Sequence, residues 1–325
     1  MKAWHIDGNN KLVLEESSLI EKEGEIKVKL SKVAMSSMDM TCFCNRDNES
    51  VTIPAHSAIA YMGSDCDELG LKLGSRVLIS PFVKSVEHGE NVVKTMGVDI
   101  DGLLRDFVCV PSANIHSLPD GIADDDAVFA EYIAIGNKVF SALSCEAGDY
   151  IVIVGAGTLG LVLCQMAMYY QMVPILIDLD SEKLELAKKW DVYYTLNPTY
   201  DNLERKVTEI TGGRMSESAV FTSEGVGLGS ALRLVKNNSE VVIAGYPTYD
   251  KHNVDMETVL KKQLKLKGVF DGAGEMPSAI NLLANSIVHT NGIITERAYF
   301  DDAPKIFEDC VKYPYKYNTV LFTVD

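Results

Sequence analysis

Residues 150–171 read "YIVIVGAGTLGLVLCQMAMYYQ", an apolar run typical of a buried strand that passes through a glycine-rich turn into an apolar run typical of a helix. Gly155, Gly157 and Gly160 have G-x-G-x-x-G spacing. In such turns the first glycine permits a tight bend, the second lets a pyrophosphate approach the backbone, and the third lets helix and strand pack closely. The stretch therefore predicts a dinucleotide-binding unit.

A carboxylate follows the next apolar strand, "PILI". Asp178 stands eighteen residues beyond Gly160, where it can accept hydrogen bonds from both ribose hydroxyls and repel a 2′-phosphate, which favours NAD(H) over NADP(H). Lys183 is expected along the adenine or the ribose edge. The alternative is a glycine turn in a nucleotide-free α/β domain, with Asp178 acting as a helix cap.

Two kinds of pattern divide the chain. The first part has short β-like runs between turn residues, which predict a β-rich domain; these runs are 25–35, 56–63, 75–82 and 104–111. From about residue 135 strands and helices alternate, which predicts a doubly wound parallel sheet with helices on both faces. The final run "NTVLFTVD" is again β-like. We therefore expect one domain from residues 1–134 plus 275–325 and a second from residues 135–274.

Composition narrows the class of protein. The 325 residues carry a formal net charge of −16, which argues against nucleic acid or an anionic membrane as a partner. Residues 151–170 are uncharged and long enough to span a bilayer, but three glycines interrupt them, and a strand entering a helix explains them better. Seven cysteines without a regular framework and no apolar leader predict reduced thiols and a cytoplasmic protein.

Several motifs along nearly the whole chain are similar to those of one enzyme family. They are "GSRV" at 74–77, "DGLLRDFVCVPSANIHSLPDG" at 101–121, "AEY" at 130–132, "KLKGVF" at 265–270 and "ITERAYFDDAPKIFE" at 294–308. With the glycine turn, they make the chain resemble the medium-chain alcohol and polyol dehydrogenases. The resemblance implies a Rossmann domain for NAD, a GroES-like β-rich domain, and a homodimer joined through the segment "METVLKKQLKLKGVF".

The chain departs from that family where its zinc-dependent members bind metal. Ser36 stands in the position of a cysteine ligand, and in the family's G-H-E motif His56 is kept while Ser57 replaces the glutamate. Met38 replaces the hydroxyl of the family's proton relay. Residues 81–97 correspond to the structural-zinc lobe and contain no cysteine. Since a neutral hydroxyl is a poor substitute for a thiolate on zinc, we expect no zinc at either site.

The resemblance also indicates the candidate catalytic residues. They are Ser36, Asp39, His56 and Glu131, with Asp39 orienting the imidazole; Glu131 belongs to the polyol branch of the family. "SSMD" at 36–39 also resembles the Asn-x-x-Asp segment of the zinc-free quinone-oxidoreductase branch. His56 has a plainer interpretation, a core histidine satisfied by Asp39.

The functional expectation is an NAD(H)-dependent oxidoreductase that acts on a small carbonyl or hydroxy compound without zinc, with His56 as acid or base. Two alternatives stay open: a catalytically degenerate NAD(H)-binding sensor or partner protein, and a divergent zinc-dependent alcohol dehydrogenase. Lys84 and Arg105 would serve a phosphate if the fold brought them to the substrate. Further cofactor contacts are expected from Thr158, Leu159, Ser223, Gly245 and Phe270.

Overall fold

The computed structural model describes residues 1–36, 39, 51–222, 226–245, 254–313 and 316–324. In chain order the strands are β1 Lys2–Ile6, β2 Leu12–Glu16, β3 Glu25–Ser36, β4 Ser57–Met62, β5 Arg76–Ile79, β6 Phe82–Glu87, β7 Glu90–Thr95, β8 Phe107–Pro111, β9 Ile115–Ser117, β10 Tyr150–Val154, β11 Val173–Ile177, β12 Tyr194–Leu196, β13 Ser216–Phe221, β14 Val235–Ala244, β15 Lys265–Val269, β16 Ile294–Tyr299 and β17 Thr319–Thr323. The helices are α1 Asp124–Ala127, α2 Ala130–Ser141, α3 Thr158–Tyr169, α4 Ser181–Lys188, α5 Leu203–Ile210, α6 Leu228–Leu234, α7 Met256–Lys262, α8 Met276–Ala284 and α9 Ala303–Lys312. In this part of the chain, no helix is long and apolar enough to cross a membrane.

The chain separates into two compact units. One consists of Met1–Glu131, Met276–Ala284 and Thr290–Asp325, and the other of Tyr132–Glu275 and Asn285–His289. We call them the discontinuous unit and the central unit. The domain bounds inferred from the sequence stay predictions.

The central unit is built on a six-stranded sheet in the order β12-β11-β10-β13-β14-β15. Every neighbouring pair in it is parallel. Strand β10 lies inside the sheet, and four of its five residues are buried. This burial explains why its sequence is a continuous apolar run. This sheet confirms the predicted doubly wound arrangement, and its order reverses between β10 and β13, where such folds bind their ligands.

Two local expectations for this unit are wrong. The run "SEKLELAKKW" (181–190) suggests Ser181 as the N-cap of a helix, but α4 is capped by the side chain of Asp180, which accepts hydrogen bonds from the backbone of Glu182 and Lys183. The run "GLGSALRLVKN" (227–237) suggests a helix as far as residue 237, but α6 ends at Leu234, where Val235 turns to an extended backbone and begins β14. A β-branched residue that pairs with Ser216 of β13 favours the strand over another helical turn.

The discontinuous unit contains the β-rich fold expected from the first part of the sequence. Its main sheet has the order β16-β17-β3-β4-β5-β9, with β8 also paired to β3. Strand β17 lies between β16 and β3 and pairs Thr319 with Ser36. The segment that corresponds to the structural-zinc lobe forms the hairpin β6-β7. Its start is held by the Asn114 side chain, which donates to the carbonyls of Ser80 and Phe82.

Candidate active site and cofactor turn

His56 lies between two carboxylates in the discontinuous unit. Its Nε2 atom is 3.0 Å from Oδ2 of Asp39, and its Nδ1 atom is 2.5 Å from Oε1 of Glu131. The same Asp39 oxygen accepts hydrogen bonds from the backbone N–H of Ser36 at 2.6 Å and from its hydroxyl at 3.0 Å. The four candidate catalytic residues therefore form one chain of contacts, which we call the His56 cluster.

The His56 cluster is buried and charged. His56, Asp39 and Glu131 are each 1% exposed. Burial by itself lowers the pKa of His56, but the charges and hydrogen bonds of Asp39 and Glu131 outweigh burial and raise that pKa well above its ordinary value. Each ring nitrogen faces a carboxylate, an arrangement that favours the protonated ring.

Secondary structure explains why these residues meet. Ser36 ends β3 and His56 immediately precedes β4, and the two strands pair antiparallel with Ala34 opposite Ser57. Glu131 lies in the first turn of α2. The Ser57 hydroxyl, which replaces the family's glutamate, donates to the carbonyl of Val128 just before that helix. Ser57 therefore contributes a structural hydrogen bond at this position.

The backbone before His56 is held by a loop that sequence reasoning missed. Gly102 donates to the carbonyl of Ile53, and Leu103 to that of Ala55. A Cβ on Gly102 would lie 2.2 Å from the Ala55 carbonyl oxygen, so only glycine permits this approach. Ala55 has φ +71°, an unfavourable conformation for a residue with a side chain. The signal that could have indicated this contact is a glycine such as Gly102, which is distant from "PAH" in the sequence but packs against it in the fold.

The donor set of the His56 cluster does not fit a catalytic zinc ion. Both ring nitrogens of His56 are directed at carboxylate oxygens, and the Ser36 hydroxyl is directed at Asp39, so these groups do not converge on one metal position. In the part of the chain that the structure describes, no group of three or more His, Cys, Asp and Glu side chains has a geometry suited to a metal ion. Met38, Cys42 and Cys44 lie outside the described residues.

The glycine turn lies between β10 and α3 in the central unit. Gly155 has φ +105°, and its N–H donates to the carbonyl of Ile177 on the neighbouring strand. Gly157 is the N-cap of α3 and provides no side-chain cap. A Cβ on Gly160 would lie 1.8 Å from the carbonyl oxygen of Gly155. The turn thus has the close backbone packing that the three glycines predict, and it directs a helix N-terminus at any bound anion.

Asp178 lies beside this turn. One carboxylate oxygen accepts a hydrogen bond from the N–H of Ala156 at 2.6 Å, and the other accepts one from Asp180 at 2.7 Å. Each oxygen has a second lone pair, so the carboxylate can hold the turn and still accept a hydrogen bond from a ribose. The observed cap of α4 is Asp180, so Asp178 is not the helix cap of the plainer interpretation.

The other predicted cofactor residues follow strands of the same sheet, with one exception. Gly245 comes directly after β14 and donates to the carbonyl of Val269, and Phe270 comes directly after the neighbouring β15. Thr158 and Leu159 form the buried first turn of α3, and Lys183 lies in the first turn of α4. Ser223 lies outside the described residues.

Comparison with known proteins gives consistent matches. Residues 158–285 match the family model of zinc-binding dehydrogenases. An uncharacterized zinc-type alcohol dehydrogenase-like protein of Haemophilus influenzae is 24% identical over 334 residues, which cover 98% of this chain and 97% of that protein. A crystal structure of an Escherichia coli CFT073 alcohol dehydrogenase complexed with NADH has a TM-score of 0.86 at 21% identity and covers 99% of both chains. These matches support the assignment to the medium-chain dehydrogenase/reductase family.

Relatives with assigned activities align with a smaller share of this chain. The sorbitol dehydrogenase of Bacillus subtilis is 23% identical and aligns with 78% of this chain and 75% of its own length. The medium-chain dehydrogenase/reductase fold accounts for both sets of predicted residues. It brings Ser36, Asp39, His56 and Glu131 together in the discontinuous unit, and it places the glycine turn and Asp178 together in the central unit.

Proposed function

We propose that this protein is an NAD(H)-dependent oxidoreductase that acts on a small carbonyl or hydroxy compound and works without a catalytic zinc ion. The observation that carries the proposal is the glycine turn, closed by the Gly160–Gly155 approach and by the Asp178 hydrogen bond to Ala156. An NADH complex of a structural neighbour and the named activity of the sorbitol dehydrogenase relative support it.

The residues of the central unit fit a nicotinamide dinucleotide. The N-terminal N–H groups of α3 would bind the pyrophosphate, and the free lone pairs of Asp178 would accept from the ribose hydroxyls. A 2′-phosphate would face the charge of Asp178 directly, so NADH is preferred over NADPH. When bound, the cofactor accepts or donates the hydride.

The His56 cluster would hold the proton that accompanies hydride transfer. Reduction of a carbonyl needs an acid that stabilises the developing alkoxide. The imidazolium of His56 stores such a proton, and Asp39 links the ring to the Ser36 hydroxyl at 3.0 Å. We propose that Ser36 and Asp39 pass the proton on, and that Glu131 keeps the ring charged.

One observation favours a second candidate, a cofactor-binding protein that no longer catalyses. Both ring nitrogens of His56 face carboxylates, and the ring is almost completely buried. In this arrangement no N–H of His56 is directed at a substrate oxygen. The same contacts would therefore suit a sensor that binds NADH and keeps the cluster only as a structural ion triplet.

The cofactor half of the proposal is tested by NADH fluorescence titration of wild type and Asp178→Ser. Loss of two hydrogen bonds to a charged acceptor should weaken NADH binding at least about tenfold, and removal of the charge should strengthen NADPH binding. Asp180→Ala is the matched control, because it removes a neighbouring carboxylate that caps α4. Equal NADH affinity in Asp178→Ser and wild type would contradict the assigned role of Asp178.

Metal analysis and turnover separate the remaining candidates. A protein purified without chelators should contain far less than one zinc per chain and should oxidise NADH with an activated ketone or enone. Tight NADH binding with no turnover across a carbonyl and polyol panel would favour the sensor. About one zinc per chain with chelator-sensitive activity would favour the divergent zinc enzyme.

A further inference from the structure

A cavity of about 520 Å³ lies in the discontinuous unit. Its wall is formed by residues 17–22, the hairpin β6-β7, residues 96–101 and strand β8. It shares no lining residue with the His56 cluster or the glycine turn. Its volume is within the range of pockets that hold small organic ligands.

Arg105 lines this cavity with most of its hydrogen-bonding capacity unused. Within the described residues its Nε atom is buried and has no hydrogen-bond partner, and its only side-chain bond is a long one of 3.4 Å to the carbonyl of Asp101. Among the described residues no ion pair joins the Asp101 carboxylate to Arg105; its Oδ1 atom accepts from the backbone of Thr52 and Ile53 at 2.7 and 3.1 Å. A buried Nε–H without an acceptor is costly.

The surroundings of Arg105 favour an anion. Lys22, Lys84 and Lys94 also line the cavity, against the two carboxylates of Glu25 and Asp101, so basic side chains outnumber acidic ones here in a chain of net charge −16. Lys94 is held 2.5 Å from Glu87, so its ammonium is partly neutralised. Burial lowers the pKa of Arg105, and nearby acids oppose this effect, which is the behaviour of a charge that lacks a close partner.

The remainder of the wall is mainly apolar. Val83, Met96, Ile100 and Val108 line the cavity together with hydroxyls such as that of Ser85. A bare inorganic anion would leave these side chains against water or empty space. A ligand with a charged head and an apolar body would satisfy Arg105 and cover the apolar wall at the same time.

We propose that this cavity binds a small amphipathic carboxylate, with the carboxylate on the guanidinium of Arg105 and the apolar body against Val83, Met96 and Val108. A planar guanidinium matches a carboxylate with two parallel hydrogen bonds. The sequence suggested Lys84 and Arg105 as ligands for a phosphate in the substrate site, and the structure places both at this separate cavity.

The test is calorimetric titration of the full chain with octanoate and benzoate, and with octanol and inorganic phosphate as comparison probes. Octanoate or benzoate should bind, octanol should bind at least tenfold more weakly, and phosphate should bind more weakly than either carboxylate. Arg105→Met keeps an apolar stem and removes the charge, and should weaken carboxylate binding at least tenfold. Arg205→Met, which removes a surface guanidinium paired with Glu209 on α5, should leave it unchanged.

A second variant keeps the proposal testable if Arg105→Met does not fold. Ser85→Trp would place an indole in the cavity without changing Arg105, and should also abolish binding. Three results would overturn the proposal: no carboxylate binding at up to about 10 mM, equal binding by wild type and both cavity variants, or tighter binding of octanol or phosphate than of octanoate. None of these readouts involves NADH, so failure here is distinguishable from failure of the proposed function.

Discussion

The His56 side chain has almost no contact with water, so its positive charge is stabilised by the two carboxylates beside it. Replacing His56 by Gln would leave the carboxylates of Asp39 and Glu131 on either side of a neutral amide, with no positive charge between them. Breaking a buried charge pair in this way costs about 3–5 kcal/mol. We therefore expect His56→Gln to lower the free energy of unfolding of the discontinuous unit by about that amount.

The effect should depend on pH with a defined sign. Because the folded pKa of His56 is raised above the ordinary value of 6.5, its contribution is fully present below about pH 6.5 and is lost as the pH rises through the folded pKa. The difference between wild type and His56→Gln should therefore shrink as the pH rises above about 6.5. Urea unfolding followed by Trp4 fluorescence in a Trp190→Phe background reports on this unit. If the stability difference between wild type and His56→Gln increased with pH, His56 would not be protonated in the folded protein.

The structure brings together side chains that short motifs indicated, while their catalytic role stays a prediction. "SSMD", "AHS" and "AEY" are separate in sequence, and the family resemblance was enough to group Ser36, Asp39, His56 and Glu131. The sequence indicated Arg105 as a possible anion ligand but did not indicate the cavity around it. That cavity is formed by loop 17–22 and by a hairpin that is distant in sequence. No local pattern encodes such a meeting of distant segments.

At the scale of elements, the β10-turn-α3 unit depends on how closely the helix approaches the turn. Gly160→Ala would place a methyl group 1.8 Å from the Gly155 carbonyl oxygen, a backbone atom that cannot move aside. We expect a loss of about 3 kcal/mol or more in stability of the central unit, together with loss of NADH binding. Thermal unfolding and NADH titration measure the two effects.

Gly229→Ala is the matched control for that substitution. Gly229 is also helical, and its added methyl would meet only the end of the Arg233 side chain at 3.2 Å. Since alanine is the better helix former, this variant should be neutral or more stable by up to about 1 kcal/mol. Equal effects of the two alanines would show that the close approach at Gly160 does not control the turn.

Element types were predictable and some ends were not. The alternation after residue 135 identified the strands and helices of the sheet, because buried parallel strands are uniformly apolar. The end of α6 was missed, since Val235 is compatible with either state until β13 is present to pair with it. The cap of α4 was also missed, because Asp180 and Ser181 are both good caps and only the fold decides between them.

For the whole molecule, an exposed edge of the central sheet favours association. Strand β15 pairs only with β14 among the described strands, and none of the residues of the neighbouring α7 is buried. Leu260 and Leu266 are 71% and 36% exposed. Open strand edges pair readily with other chains, so we propose a homodimer through this edge, as the family resemblance implies.

The double variant Leu260→Lys/Leu266→Lys should convert the dimer to a monomer, because it places four charges in the two-fold interface. Analytical ultracentrifugation measures the change in mass. Leu73→Lys is the control, because Leu73 is 67% exposed in the other unit and its substitution should leave the mass unchanged. A monomeric wild type would rule out the proposed homodimer. The cytoplasmic location inferred from composition stays a prediction.

The position of β17 also has a consequence for synthesis on the ribosome. Strand β3, which ends at Ser36, waits for its partner Thr319–Thr323 until about 280 more residues have been translated, or roughly a quarter to one minute. Meanwhile all the residues of the central sheet have emerged. The nascent chain therefore carries an open β3 edge during this interval, and its yield should rise with chaperones that shield strand edges.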